Sequence, residues 1–154
     1  MKICDFRHSI LDYSRKFTEN ISNIFDPICE RCGLTMMQLK ILMELHKYGS
    51  HTVGSLADNL KAAGANISPM CKKLENKKLL ERVRDQNDER VVKVCLTKEG
   101  KEIILEIEKE LNERFSKQIE NETEETFRDI ILGLEKLNTL LQKIGETEYR
   151  KNSY

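Results

Sequence analysis

Tryptophan is absent from the 154 residues, aromatic side chains make up 6% of them, and there are only two prolines, Pro27 and Pro69. So few rings and helix breakers in a chain that is 34% charged point to a helix-rich protein. No apolar run approaches the roughly 18 residues that a membrane span needs. The opening Met1-Lys2-Ile3-Cys4-Asp5 lacks the apolar stretch of a signal peptide, so a cytoplasmic location without membrane contact is expected. The five cysteines (Cys4, Cys29, Cys32, Cys71, Cys95) are odd in number and follow no framework spacing, which predicts reduced thiols rather than a disulfide scaffold. There is no G-x-S-x-G, no phosphate-binding glycine loop and no H-E-x-x-H. An enzyme is therefore not expected, nor a cofactor, nor a metal site.

Net charge is absent too, yet its zero value hides a polarity along the chain. Between Lys61 and Arg84 seven basic residues face two acidic ones, whereas Glu99 to Glu135 holds twelve acidic and five basic. A basic segment inside a neutral chain is the electrostatic footprint of a polyanionic partner. Taken alone, the same run also suits a solvated charged face.

The apolar residues are strongly patterned, and 154 residues suffice for a single compact domain. Ile3, Phe6, Ile10, Tyr13, Phe17, Ile21, Ile24 and Ile28 recur at helical spacing, which predicts a long first helix closed by Pro27 and Gly33. Thr35-Met36-Met37-Gln38 reads as a capping box opening a second helix that runs to about His46. Thr52 caps a short third helix, Val53 to Leu60, and a break at Lys61-Ala62-Ala63-Gly64 leads to a fourth. That fourth helix turns Ile67, Met70, Cys71 and Leu74 inward and Lys72, Lys73, Asn76 and Lys77 outward. Two short helices joined by a glycine-containing turn form a helix-turn-helix pattern. The start of the fourth helix is open between Ser68 as N-cap, with Pro69 at the first helical position, and a start near Ala65.

Past Leu79-Leu80 the period becomes two. Arg82-Val83-Arg84, a polar tip Asp85-Gln86-Asn87-Asp88-Glu89-Arg90, and alternating Val92, Val94 and Leu96 predict a hairpin. Thr97 is placed to cap a further helix carrying Ile103 or Ile104, Ile107, Leu111, Phe115 and Ile119 on one stripe. After a polar joint, Asn121 to Thr126, the last helix repeats Phe127, Ile130, Leu134, Leu137, Leu141 and Ile144 at 3-4-3-4-3 spacing. A stripe that regular is a packing seam, either between subunits or within one. The fold class expected is mainly α with a small β-hairpin.

The segment Asp88 to Gly100 resembles the wing signature of the MarR (multiple antibiotic resistance regulator) family of winged-helix transcription factors. The likeness lies in Asp88-x-Arg90, the strand Val94-Cys95-Leu96-Thr97 and Gly100 three residues after the threonine. Gly33-Leu34-Thr35, and Leu74-Glu75 ahead of Leu79-Leu80-Glu81-Arg82, resemble the same family. The resemblance implies a winged helix-turn-helix with long N- and C-terminal dimerisation helices. Residues 1–34 would form the N-terminal dimerisation helix and 35–100 the DNA-binding lobe, with a recognition helix at about 65–77 and a wing at about 80–97. Residues 101–154 would supply the C-terminal dimerisation helices. It implies double-stranded DNA as partner, a homodimer and a small-molecule effector. Ala65, Asn66, Ser68, Lys72 and Lys73 fall on the recognition helix, Arg90 on the minor-groove position of the wing, and Asp88 on the carboxylate that braces it. The resemblance also favours the earlier start of the fourth helix.

Charge chemistry runs parallel to this. Lys72, Lys73, Lys77 and Arg84 suit salt-sensitive phosphate contacts, and Asn66 and Ser68 suit base edges. Two departures stand out: Lys78 replaces the glycine that often ends the recognition helix, and Leu11 replaces the reactive cysteine of the family's organic-peroxide sensors. The histidine-bearing helix of zinc-responsive members has no counterpart, since no histidine follows His51. Cys29-Glu30-Arg31-Cys32 places two thiols on one side of a helix end, with Arg31 beside them; either they sense oxidant or a soft metal, or they are ordinary packing. Cys71 and Cys95 read as packing. The function expected is a sequence-specific homodimeric repressor of a pseudo-palindromic operator, released by a small molecule or other signal. The alternatives are a regulator switched through Cys29 and Cys32, or a helical protein-interaction module that does not bind DNA.

Overall fold

In the computed structural model, which describes residues 3–85 and 87–149, the chain is mostly helical with one β-hairpin. The elements are α1 (Ile3–Cys32), α2 (Met36–Tyr48), α3 (Val53–Asn59), α4 (Gly64–Asn76), β1 (Leu80–Arg84), β2 (Val92–Leu96), α5 (Lys98–Ile119) and α6 (Glu124–Tyr149). They fall into two compact units, one ending at Glu110 and one beginning at Leu111.

The first unit is built around Ile28, Leu39, Ile41, Leu42, Leu56, Ile67, Leu74, Val94, Ile104 and Ile107, all at most 2% exposed. At the helical period these side chains bring α1, α2, α3, α4 and the start of α5 onto one core. β1 and β2 pair antiparallel from Leu80 opposite Leu96 to Arg84 opposite Val92. His51 adds a bridge on the other side of β2, exchanging backbone hydrogen bonds with Val94 at 3.1 and 2.7 Å.

The threonine caps form as the sequence predicts. Thr35 Oγ1 accepts from the Gln38 N–H, and Gln38 Oε1 accepts from the Thr35 N–H at 2.9 Å, which gives the side-chain oxygen of the buried Gln38 a partner. Thr52 Oγ1 accepts from the Ser55 N–H at 3.1 Å and Thr97 Oγ1 from the Gly100 N–H at 3.0 Å. Gly100 also explains the glycine of the wing signature. A Cβ there would stand 2.1 Å from the Leu79 carbonyl oxygen, so only glycine lets α5 leave the hairpin this close to its first strand.

One sequence expectation is corrected and one open alternative is decided. Pro27 does not close α1, which continues through it to Cys32. Pro27 and Asn23, whose carbonyl loses its helical partner, both lie on the exposed side, where water can satisfy the orphan. Of the two starts left open for α4 the structure takes the earlier, with Ala63 as N-cap and Pro69 inside the helix. The reason is burial. Ile67 is fully buried in line with Cys71 and Leu74, and burying such a side chain is worth about 1.5–3 kcal/mol, against about 1 kcal/mol for a good cap.

Three helices end alike. Leu34 N–H to Cys29 O, Ala62 N–H to Ala57 O and Leu79 N–H to Leu74 O each close a six-to-one turn at 2.8–3.0 Å. The left-handed residue that this turn requires is Gly33, Lys61 and Lys78 in turn, with φ of 61°, 51° and 60°. The two lysines hold a backbone that costs a non-glycine residue about 1–2 kcal/mol.

In the second unit, Thr123 caps α6 by accepting from the Thr126 N–H at 3.1 Å. Among the described side chains of α6 none is buried, and Phe127, Ile130, Ile131, Leu134, Leu141 and Ile144 are 37–56% exposed.

Candidate nucleic-acid interface

α4 divides into two faces. Ile67, Cys71 and Leu74 anchor it in the core, which leaves Ala65, Asn66, Ser68, Pro69, Lys72 and Lys73 exposed along the opposite side. All five residues expected on the recognition helix therefore share one accessible surface. Its first turn carries no acidic residue and Ala63 supplies no side-chain cap; the Asn66 and Ile67 N–H groups donate to the Ala63 carbonyl, which leaves those of Gly64 and Ala65 for an anion. Lys77, another of the predicted phosphate contacts, is engaged within the protein. Its Nζ donates to the Gly33 carbonyl oxygen and joins the C-terminal ends of α4 and α1.

The hairpin tip is shaped by two aspartates. Asp88 Oδ1 accepts the Arg90 N–H at 3.0 Å, so Asp88 braces the backbone that carries Arg90, and the Arg90 side chain is exposed. Asp85, which sequence reasoning missed, does more. Its Oδ1 accepts the N–H groups of Asn87 and Asp88 at 2.9 and 3.2 Å, and its carboxylate pairs with Lys93 across the hairpin. The Lys93 contact, followed by the backbone donors, holds the Asp85 carboxyl below its ordinary range. The signal available was an Asx-turn aspartate ahead of an Asn-Asp pair. Arg84 Nη1 donates to the Glu89 carbonyl at 3.4 Å, and Arg82 pairs with Glu75 at 3.2 Å, fastening β1 to α4. Gln86, also assigned to the tip, lies outside the described residues.

Arg84, Asp88 and Arg90 thus sit together on the wing, and the α4 set together on its helix. Cys29 and Cys32 belong to neither group. They occupy the last turn of α1, Cys29 buried and Cys32 half-buried. Burial, then Asp26, then Cys32 push the Cys29 thiol up. Arg31, between them in sequence, pairs with Glu110 and lies beside the Cys32 sulfur. Cys71 is buried as expected, and the Cys95 sulfur faces Glu81 at 3.8 Å.

Residues 23–107, which include this helix pair and hairpin, match the family described as transcriptional regulator SarA/Rot. The chain belongs to the SarA/Rot family of transcriptional regulators. Its fold is that of MarR proteins, the family that its wing resembles. A MarR family protein from Bacillus stearothermophilus shares its fold, with a TM-score of 0.73 at 22% identity over 94% of this chain and 99% of that one. NadR in complex with 4-hydroxyphenylacetate aligns with a TM-score of 0.68 at 27% identity, covering 88% of this chain and 93% of the other. The HTH-type transcriptional repressor MdtR of Bacillus subtilis is 35% identical over 71 residues, 46% of each chain. The chain spans about half the length of MdtR, and 62% of that of a second curated Bacillus subtilis relative, YhbI. Among the described residues no helix of this SarA/Rot-family chain is long and apolar enough to cross a membrane.

Proposed function

We propose that the chain is a cytoplasmic, homodimeric, sequence-specific DNA-binding repressor with a pseudo-palindromic operator, and not an enzyme. The observation that carries this reading is the pairing, in one compact unit, of the exposed α4 face with the aspartate-braced tip carrying Arg90. Ala65, Asn66 and Ser68 read base edges in the major groove, while Lys72 and Lys73 contact phosphates. Arg90 enters the flanking minor groove, with Arg84 and Asp88 holding the wing in shape. Symmetry places the half-sites about one helical turn apart.

Residues 35–100 form the DNA-binding lobe. Residues 1–34 and 101–154 form the dimer. The support is the exposed apolar stripe of α6, together with Leu11, Tyr13 and Phe17 of α1 at 58–70% exposure, since apolar faces this continuous mark interaction surfaces. A small-molecule effector releases the operator by binding one dimer geometry better than the other. The ligand-bound NadR structure supports that element.

A mobility-shift titration on the DNA upstream of the gene, at two salt concentrations and with unrelated competitor DNA, tests the reading. Binding that weakens with salt but resists competitor is expected. Failure to select any sequence from a random pool would overturn it in favour of a protein-interaction module.

A further inference from the structure

The end of α1 closes on itself and is tied to two other helices of the first unit. Its Cys29 carbonyl accepts the Leu34 N–H that closes the helix, the Gly33 carbonyl accepts Lys77 from the end of α4, and Arg31 pairs with Glu110 of α5. Cys29 and Cys32 stand inside this joint. Thiols three residues apart on a helix share a face with their Cβ atoms about 5–6 Å apart. A disulfide needs them at about 3.5–4.5 Å. Joining the pair therefore requires the turn to distort, and the turn is what presents the Gly33 carbonyl to Lys77.

We propose that Cys29 and Cys32 form a dithiol switch that reacts with a small-molecule disulfide and, on closing, loosens the joint between α1 and the recognition helix. The assignment of roles follows accessibility. Cys32 is half-buried and the more accessible of the two, so its sulfur attacks the disulfide as the thiolate, forming a mixed disulfide and releasing one small thiolate. Cys29 is 5% exposed, out of reach of the bulky reagent but adjacent to the mixed disulfide. After losing its proton to solvent, it displaces the second small thiolate and forms the Cys29–Cys32 bond. Two protein thiols are oxidised and one small disulfide is reduced to two thiols. A soft metal fits less well, since among the described residues no third ligand joins the pair.

The consequence for DNA rests on the repressor reading above. α4 loses its Lys77 anchor in the oxidised form, so its two states present the recognition face differently.

The test equilibrates the full-length protein with glutathione disulfide and glutathione at a series of ratios, traps free thiols, and maps disulfides by mass spectrometry. A Cys29–Cys32 linkage is expected in the wild type, a mixed disulfide on Cys32 in Cys29→Ser, and an unreacted Cys29 in Cys32→Ser. A wild type that stops at the mixed disulfide, or pairs other cysteines, overturns the proposal. DNA affinity should fall by about tenfold, a usual size for coupling between sites, on oxidation of the wild type and stay constant in both variants under the same treatment. Equal affinity of the two wild-type forms overturns it. Should neither form bind DNA, the repressor reading fails separately, and hydrogen exchange decides the switch. Faster exchange at the amides of Lys77 to Leu79 in the disulfide form supports it, and unchanged exchange refutes it.

Discussion

α4 and α6 carry similar sequence patterns, apolar residues every three or four positions with charge between them, and they end in opposite situations. The apolar side of α4 is closed off by α2, α3 and β1, with Ile67 and Leu74 fully buried. The stripe of α6 is as regular but stays open, its members 37–56% exposed. An amphipathic period specifies that a face will be covered and leaves open by what. In the DNA-binding lobe the cover is the chain itself, and for α6 the proposal is a second copy.

The largest expected effect would break this contrast directly. Replacing Ile130 and Leu134 by Asp should dissociate the dimer, because each buried apolar side chain contributes about 1.5–3 kcal/mol and the symmetry counts every change twice. Analytical ultracentrifugation reads this as a monomer whose lobe still shows native helix content; an unchanged sedimentation coefficient would sink the seam. Next in size, Leu74→Ala should cost about 2–5 kcal/mol of folding stability through the cavity it leaves in the lobe, measured by urea denaturation. The dimer population of the folded variant should not change. Arg90→Ala should weaken operator binding by about 1–3 kcal/mol at nearly constant melting temperature. A variant that binds as the wild type does would remove the wing from the interface.

Smaller effects sharpen the account of the lobe's own turns. Lys78→Gly should raise stability by about 1 kcal/mol by relieving the left-handed backbone, with no gain expected from Lys72→Gly on the helical face. The smallest is a pH effect at Asp85, whose folded value lies below its unfolded one. Its hold on the tip is complete above the ordinary aspartate value of about 3.9 and fades as the pH falls from there through the folded value. The protection of the Asn87 and Asp88 amides, taken relative to their intrinsic exchange rates at each pH, should therefore fall on acidification, and Asp85→Asn should remove that dependence.

Local chemistry was legible in the sequence wherever a few adjacent residues decide it. The Thr35–Gln38 capping box, the Thr97 cap and the alternation of Val92, Val94 and Leu96 all form as read, and the spacing of Asp88, Arg90 and Gly100 already pointed to the wing. Pro27 was misread because a breaker rule takes the freed carbonyl as orphaned, whereas at Asn23 it lies on the exposed side, as it does at Ala65 for Pro69. Lys77 was misread because a lysine on the outer face of a basic helix looks like a phosphate contact until the end of α1 arrives beside it. Asp85 was missed because Lys93, its main partner, lies eight positions later.

The sequence by itself determined the helices, the hairpin, their order and the charge of the segment between Lys61 and Arg84, since caps, periods and net charge depend on near neighbours. Only the tertiary structure decided where α4 begins, which lysine is tied to α1, and that Cys29 and Cys32 stand in a joint reaching α4 and α5. Those outcomes depend on which groups are shut away from water, and burial is a property of surfaces meeting, which no single stretch of chain contains.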